Sequence, residues 1–373
     1  MKRLSRISAL LLTLALLLTL AACGGKPVET PPAATETPSA LPESRTVIDA
    51  MGREVELPYT VERIVCVNVG ALRYTCYMQA QDLVVGVEDY EQKAGMSRLY
   101  NYVNFDKFAA LPVIGNNGEH YAEEIIAADP DVIIMSGFSD KDADGLQSKT
   151  GIPVVFVPGS DTTMDEGAYE TFRIMGEVYG KKDRADELIA YMDSVKADLD
   201  ARTADIAEED KPTVYVGGVS FKGAHGFEGT EAGYGPFGII HAKNLADGTD
   251  QKGAFNIDLE KVLSWDPDVI FVDFNGLNLI NEDYKANPDY YNSLTAVREG
   301  RVYSQISFRS SASNLETALA DAYYAATIIY PEQFADIDPV EKAGEIFEMF
   351  LGTNPYGDLK EAGYEFRPVQ IGK

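Results

Sequence analysis

The 373-residue chain is poor in the residues from which disulfide scaffolds and metal centres are built. It holds three cysteines, Cys23, Cys66 and Cys76, and three histidines, His120, His225 and His241. Two cysteines beyond Cys23 cannot staple a secreted fold, so stability must come from a hydrophobic core. Cys66 falls in a predicted strand and Cys76 in the helix after it, a setting that suits one bond or two buried thiols equally. Three scattered histidines offer no multi-histidine metal cluster. Catalytic signatures are lacking too. Gly218-x4-Gly223 runs into Ala224-His225, not into the lysine and hydroxyl residue that a phosphate loop needs. The first predicted strand leads to Gly70 alone, without a glycine-rich dinucleotide fingerprint. Neither a G-x-S-x-G elbow nor a paired-histidine zinc motif occurs. We therefore expect no enzyme, no resident cofactor and no metal held by the protein alone.

Positive charge is also scarce. Against 59 Asp and Glu stand 32 Lys and Arg, a formal charge of −27, and removal of Lys2, Arg3 and Arg6 would make it three units more negative. Such a chain repels nucleic acid and anionic headgroups. There is no apolar run of the roughly 20 residues that a spanning helix needs; Ile7 to Ala22 gives 16. Preceded by three basic residues, that run reads as a signal peptide over residues 1–22. Leu20-Ala21-Ala22-Cys23 resembles the lipobox of bacterial lipoproteins, which implies a lipid on Cys23. Residues 23–45 carry five prolines and only Val28 and Leu41 as larger aliphatics, too little apolar surface to fold, so they read as a tether. The expected location is extracytoplasmic, anchored by lipid to the outer face of the cell membrane.

About 320 residues remain, more than one core usually serves. Strand signals alternate with helical ones: Arg63-Ile64-Val65-Cys66-Val67, a helix near Arg73 to Ala80, then Leu83-Val84-Val85-Gly86-Val87. Val132-Ile133-Ile134-Met135 and Val154-Val155-Phe156-Val157 are continuous apolar runs, as in parallel strands buried on both faces. An α/β lobe over residues 46–164 follows. Residues 165–210 show no strand signal, and Ala185, Leu188, Ile189, Met192, Val195 and Leu199 recur at helical spacing. A helix from Lys182 to about Ala207 would be roughly 39 Å long, enough to link two lobes. A second strand series begins at Thr213 and defines a lobe over 211–373. The clearest sign of duplication is a repeat at an offset of 137: Glu123 to Ile134 aligns without gaps to Glu260 to Phe271, matching at six of twelve positions. Each copy is a helix stopped by Asp-Pro and followed by a buried strand.

These segments carry a family resemblance. Thr46-Val47-Ile48-Asp49, Gly52-Arg53-Glu54-Val55, Glu62-Arg63-Ile64-Val65, both Asp-Pro-Asp-Val-Ile copies, Thr150-Gly151-Ile152-Pro153-Val154, Val297 to Tyr303 and Tyr330-Pro331-Glu332 stand in an order similar to that of the iron-complex and cobalamin binding proteins of ATP-driven importers. The resemblance implies a class III periplasmic-binding-protein fold: two Rossmann-like lobes joined by one long helix. It implies as partners a permease dimer with its ATPase, and transporter docking through Glu123 and Glu260, one on each lobe. A carboxylate early in a helix is favoured there and can accept a two-pronged arginine.

Ligands of open α/β sheets sit beyond the carboxyl ends of strands, so the loops there should line an interlobe cleft. Those loops supply Arg73, Tyr74, Asn116, Lys222, His225, Tyr234, Phe274 and Arg309 as expected ligand-binding residues, with Phe138 and Phe308 as further aromatic candidates. Arg73, Lys222 and Arg309 would set positive groups on both walls of an otherwise acidic protein, which points to a small anionic ligand. The family resemblance implies a metal chelate, a ferric siderophore or haem, as the cargo. Cobalamin or an oxyanion such as molybdate is the alternative, and a surface receptor or scavenger uncoupled from transport the alternative role.

Overall fold

The computed structural model describes residues 42–116, 118–137, 141–159 and 164–373. The expected signal peptide, Cys23 and the expected tether as far as residue 41 lie outside them, as do Asn117 and Phe138. Buried apolar runs form the strands as expected. An antiparallel hairpin of β1 (Ser44–Ile48) and β2 (Glu54–Pro58) precedes a six-stranded sheet. That sheet has the order β6-β5-β4-β3-β7-β8, built from β3 (Ile64–Val67), β4 (Val84–Glu88), β5 (Val113–Asn116), β6 (Glu119–His120), β7 (Val132–Ser136) and β8 (Val154–Val157). All of its pairings are parallel except β5 with β6. The second lobe holds β9 (Thr213–Gly217), β10 (Gly229–Ala232), β11 (Lys243–Asn244), β12 (Gly253–Asn256), β13 (Val269–Asp273) and β14 (Val302–Gln305). Its parallel sheet runs β11-β9-β13-β14, with β10 and β12 as a separate antiparallel pair. The molecule is thus a two-lobed α/β protein.

The repeat is structural down to its boundaries. Helix Ala122–Ala128 leads into β7 and helix Leu259–Trp265 into β13, at the same offset of 137 residues. Each helix ends on an aspartate in the left-handed region, Asp129 at φ 50° and Asp266 at φ 43°. Proline follows and bars further helix. The next aspartate ties each turn to its sheet: Asp131 accepts the Glu62 and Arg63 amides at 2.7 and 2.9 Å, and Asp268 accepts the Thr213 amide and hydroxyl at 2.8 and 2.6 Å.

Between the sheets in sequence come helices Glu166–Val178 and Lys182–Thr203, separated at Gly180, whose φ of 65° suits glycine. The second, at 22 residues, is about 33 Å long and stops earlier than the expected Ala207. The reason is burial: Ala185, Leu188, Met192, Val195, Leu199 and Thr203 hold it against the core, whereas residues 207–210 are exposed and give no face to continue on. Its flank also carries Arg184, which donates to the carbonyls of Tyr77 (3.0 Å) and Met349, and Arg202, paired with Asp198 and Asp336 at 2.9 and 2.6 Å.

Beside this helix the lobes also share packing. Each sheet has a core of its own on one face, but a third apolar core runs through both lobes, from Tyr77 and Phe172 to Leu319 and Phe350. Tyr77 meets Phe350 edge-on at 5.1 Å. Helix Pro339–Leu351 carries this contact, so part of the second lobe's sequence packs on the first lobe's helix Ala71–Tyr77. Such a shared core resists wide hinge opening. Cys66 and Cys76 are both free and buried; the Cys66 sulfur lies 3.2 Å from the Thr75 hydroxyl, and burial pushes its pKa up to about 12.

Candidate functional site

In each sheet the strand order reverses beside the first strand, between β3 and β7 and between β9 and β13. Such switch points open a crevice at the carboxyl ends of the strands. In the first lobe the crevice holds Asn68, a non-glycine residue at φ 68°. Its amide nitrogen donates to the Ser136 carbonyl at 2.9 Å, and its side-chain oxygen lies 3.0 Å from Nε2 of His120. Glu88, the last residue of β4, is buried beside it and accepts the backbone amides of Asn68 and Gly118. Burial outweighs those bonds and raises the Glu88 carboxyl to about 7.

The second lobe repeats the device with other residues. Asp273 ends β13, is fully buried, and accepts the Asn275 amide at 2.9 Å and the Ser307 hydroxyl. Burial lifts its carboxyl to about 7 as well. Gly218, at φ 83°, and Gly276 bring the chain after β9 against the start of helix Phe274–Ala286; a Cβ on Gly276 would strike Gly218. Close backbone approach is what these two glycines permit.

The expected ligand residues fall into three groups. Tyr74, Tyr234, Phe274 and Phe308 are in the core. Tyr74 packs between Tyr77 (5.7 Å) and Phe172 (5.2 Å), Tyr234 between Phe237 (4.7 Å) and Phe308 (5.3 Å), and Phe274 lies against Tyr364 (5.2 Å) and beneath Arg367 (5.5 Å). With their faces covered by protein, these rings offer a chelate no open wall. The second group is the two arginines. Arg73 is fully buried, lies over the Tyr100 ring, and donates across the interlobe boundary to the carbonyls of Ser313 (2.9 Å), Ser310 (3.0 Å) and Ser311. Arg309 is bound to the buried carboxylate of Glu231, Nε to Oε2 at 3.1 Å. Each arginine's charge is therefore engaged by protein, which departs from the clamp expected of them.

Asn116, Lys222 and His225 remain accessible. Asn116 ends β5, exposed opposite Glu119. Lys222 sits exposed at the turn where the Phe221 amide donates to the Gly223 carbonyl, with φ 52°. The His225 ring stacks on Phe221 at 3.9 Å and its Nε2 lies 2.8 Å from the Phe221 carbonyl. Sequence reasoning passed over Glu88; the visible signal was a carboxylate closing the apolar strand Val84-Val85-Gly86-Val87, where a buried rim is the next step of the chain. Glu123 and Glu260 are both exposed in the first turns of their helices.

The model of a family described as periplasmic binding protein matches residues 77–305, most of the chain from the first helix to β14. The chain belongs to that family. A curated relative is the molybdate-binding protein MolA of Haemophilus influenzae, 22% identical over 339 residues, spanning 85% of this chain and 93% of the relative. Another is the Fe(3+)-citrate-binding protein YfmC of Bacillus subtilis, 26% identical over 196 residues, spanning 51% and 58%. Among solved structures, a periplasmic solute binding protein from Veillonella parvula superposes with a TM-score of 0.68 at 20% identity, covering 83% of this chain and 94% of that one. This periplasmic binding protein thus has the class III fold and stands among solute receptors, not enzymes. No helix among the described residues is long and apolar enough to cross a membrane.

Proposed function

We propose that this periplasmic binding protein captures a compact, oxygen-rich iron complex of the ferric hydroxycarboxylate kind between its lobes and delivers it to an ABC permease dimer driven by its ATPase. The observation that carries this reading is the contrast at the rim. Tyr74, Tyr234, Phe274 and Phe308, which could have faced a broad, flat haem or catecholate, are packed into the core, while Asn116 and Lys222 are exposed and His225 half-buried at or beyond the ends of β5 and β9. A small anion is recognised by a few placed donors and one cation rather than by large apolar faces. The relative named for Fe(3+)-citrate supports that cargo class.

A second reading is a tetrahedral oxyanion. It is favoured by the molybdate-binding relative, which aligns over 85% of this chain. Calorimetric titration of the purified protein with ferric citrate, a ferric catecholate, haemin and molybdate separates the two. Saturable heat with ferric citrate alone is expected; heat with molybdate alone selects the second reading, and tight binding of haemin or the catecholate defeats both.

Delivery rests on Glu123 and Glu260 as exposed acceptors for arginines of the permease, and on lipid-anchoring through Cys23 after removal of residues 1–22. Metabolic labelling with a radioactive fatty acid, lost in Cys23→Ser, tests the anchor. An anchored receptor uncoupled from transport would bind its ligand but leave uptake unchanged when both glutamates are reversed.

A further inference from the structure

The docking glutamates are not the only feature that the two repeat helices share on their outer surface. Three residues after Glu123 stands Ile126, 48% exposed, and three residues after Glu260 stands Leu263, 36% exposed. Residues three apart share one helix face, so each helix presents a carboxylate and a large aliphatic side by side. Between them, Ile125 and Val262 point into the lobe cores. The chain therefore has a buried alternative for an aliphatic on each helix and still leaves one outside at the matching position.

Similar mounting places the two patches at equivalent points of the repeat. Both helices run between the same boundaries, end on a left-handed aspartate before proline, and are tied to their sheets through the next aspartate. Each helix leads directly into its strand, so its start lies level with the carboxyl ends of the strands, on the side of the crevice. A partner that engages one patch in a given way meets the same features on the other if it has two equivalent sites.

Resting on the docking reading above, we infer that Glu123 with Ile126 and Glu260 with Leu263 form two equivalent two-point plugs, each made for a socket that pairs a guanidinium with an apolar hollow. The partner of that chemistry is a two-fold symmetric membrane protein with one such socket on each half. Charge supplies the attraction to a basic rim, and the aliphatic supplies the dry, apolar surface beside it that strengthens a charge pair. The patches differ in charge beside the plug: Glu124 follows Glu123, whereas Lys261 follows Glu260 and lies 5.6 Å over the Trp265 ring. Two otherwise equal sockets can thus be told apart by charge.

The test uses the mature protein and the permease–ATPase complex of its own transporter in nanodiscs, with binding read by surface plasmon resonance. Ile126→Gln and Leu263→Gln should each weaken binding about tenfold, the effect of taking one aliphatic side chain out of an apolar hollow. The two reductions should be similar and should multiply in the double variant. Melting temperature and ligand titration should stay at wild-type values, since both side chains are on the surface. Full binding by the double glutamine variant, while E123R/E260R abolishes it, overturns the plug and leaves the glutamate docking intact. Full binding by both double variants overturns the docking reading as well. Weakening confined to one lobe's variant overturns the two-socket arrangement.

Discussion

The two lobes carry the same architectural unit but engage the arginines that follow their strands with different partners. In the first lobe Arg73 reaches across to three carbonyls of the 310–313 segment, two of whose residues, Ser311 and Ala312, lie in the left-handed region. In the second lobe Arg309 pairs with the buried carboxylate of Glu231. One cation therefore holds lobe to lobe, and the other pairs with a buried carboxylate. Neither role depends on a ligand, and both follow from the cost of leaving a buried charge without compensation.

Replacing Arg73 with alanine should break this comparison most severely. It strips a charged donor from carbonyls buried at the interlobe boundary, and a loss of about 3 kcal/mol or more in unfolding free energy is expected by denaturant titration. If Arg73 instead served the ligand, affinity would fall and stability would not.

R309A should cost less, about 2 kcal/mol, because the Arg309 side chain is partly exposed to water whereas Arg73 is fully buried. The double variant R309M/E231Q should recover most of that loss, which chemical denaturation can measure. Failure of the second change to rescue the first would show that Arg309 does more than balance Glu231.

Much of this was legible in the chain. The Asp-Pro-Asp-Val-Ile copies located two helix–strand units to within a residue at their ends, since a doubly buried strand writes an unbroken apolar run and proline marks the stop before it. The start of the linking helix at Lys182 was legible for similar reasons. The fate of Arg73 was not. Its acceptors lie 237 to 240 residues away and are backbone carbonyls, which leave no mark on side-chain identity. The shared core was hidden likewise, because Tyr77 and Phe350 look like ordinary apolar positions of two unrelated helices. Whether Cys66 and Cys76 pair depends on a distance that spacing alone does not set.

The rim carboxyls sharpen the comparison through pH. Glu88 has a folded-state pKa of about 7 against an ordinary value of 4.5, so the folded protein holds a proton that the unfolded chain has released between those values. Its contribution to stability is complete below about pH 4.5 and is lost as pH rises through 7. Glu88→Gln removes that loss. The melting temperature of E88Q minus that of the wild type should therefore climb between pH 5 and 8; a constant difference would mean that Glu88 is ionised in the fold at every pH tested.

The smallest effect on stability, and the most informative for function, belongs to Lys222. Its exposed side chain has no carboxylate within ion-pair reach among the described residues, in contrast to Arg309 on the same lobe. Lys222→Ala should leave the melting temperature unchanged within a degree, because surface charges of this kind contribute little. Affinity for ferric citrate should fall about tenfold, with a shallower dependence on salt, because an exposed cation with no ion-pair partner among the described residues is available to an incoming anion. Unchanged affinity, with R309A now the variant that loses the ligand, would mean that the anion displaces Glu231 from Arg309 on binding, and the second lobe's arginine would then belong to the site after all.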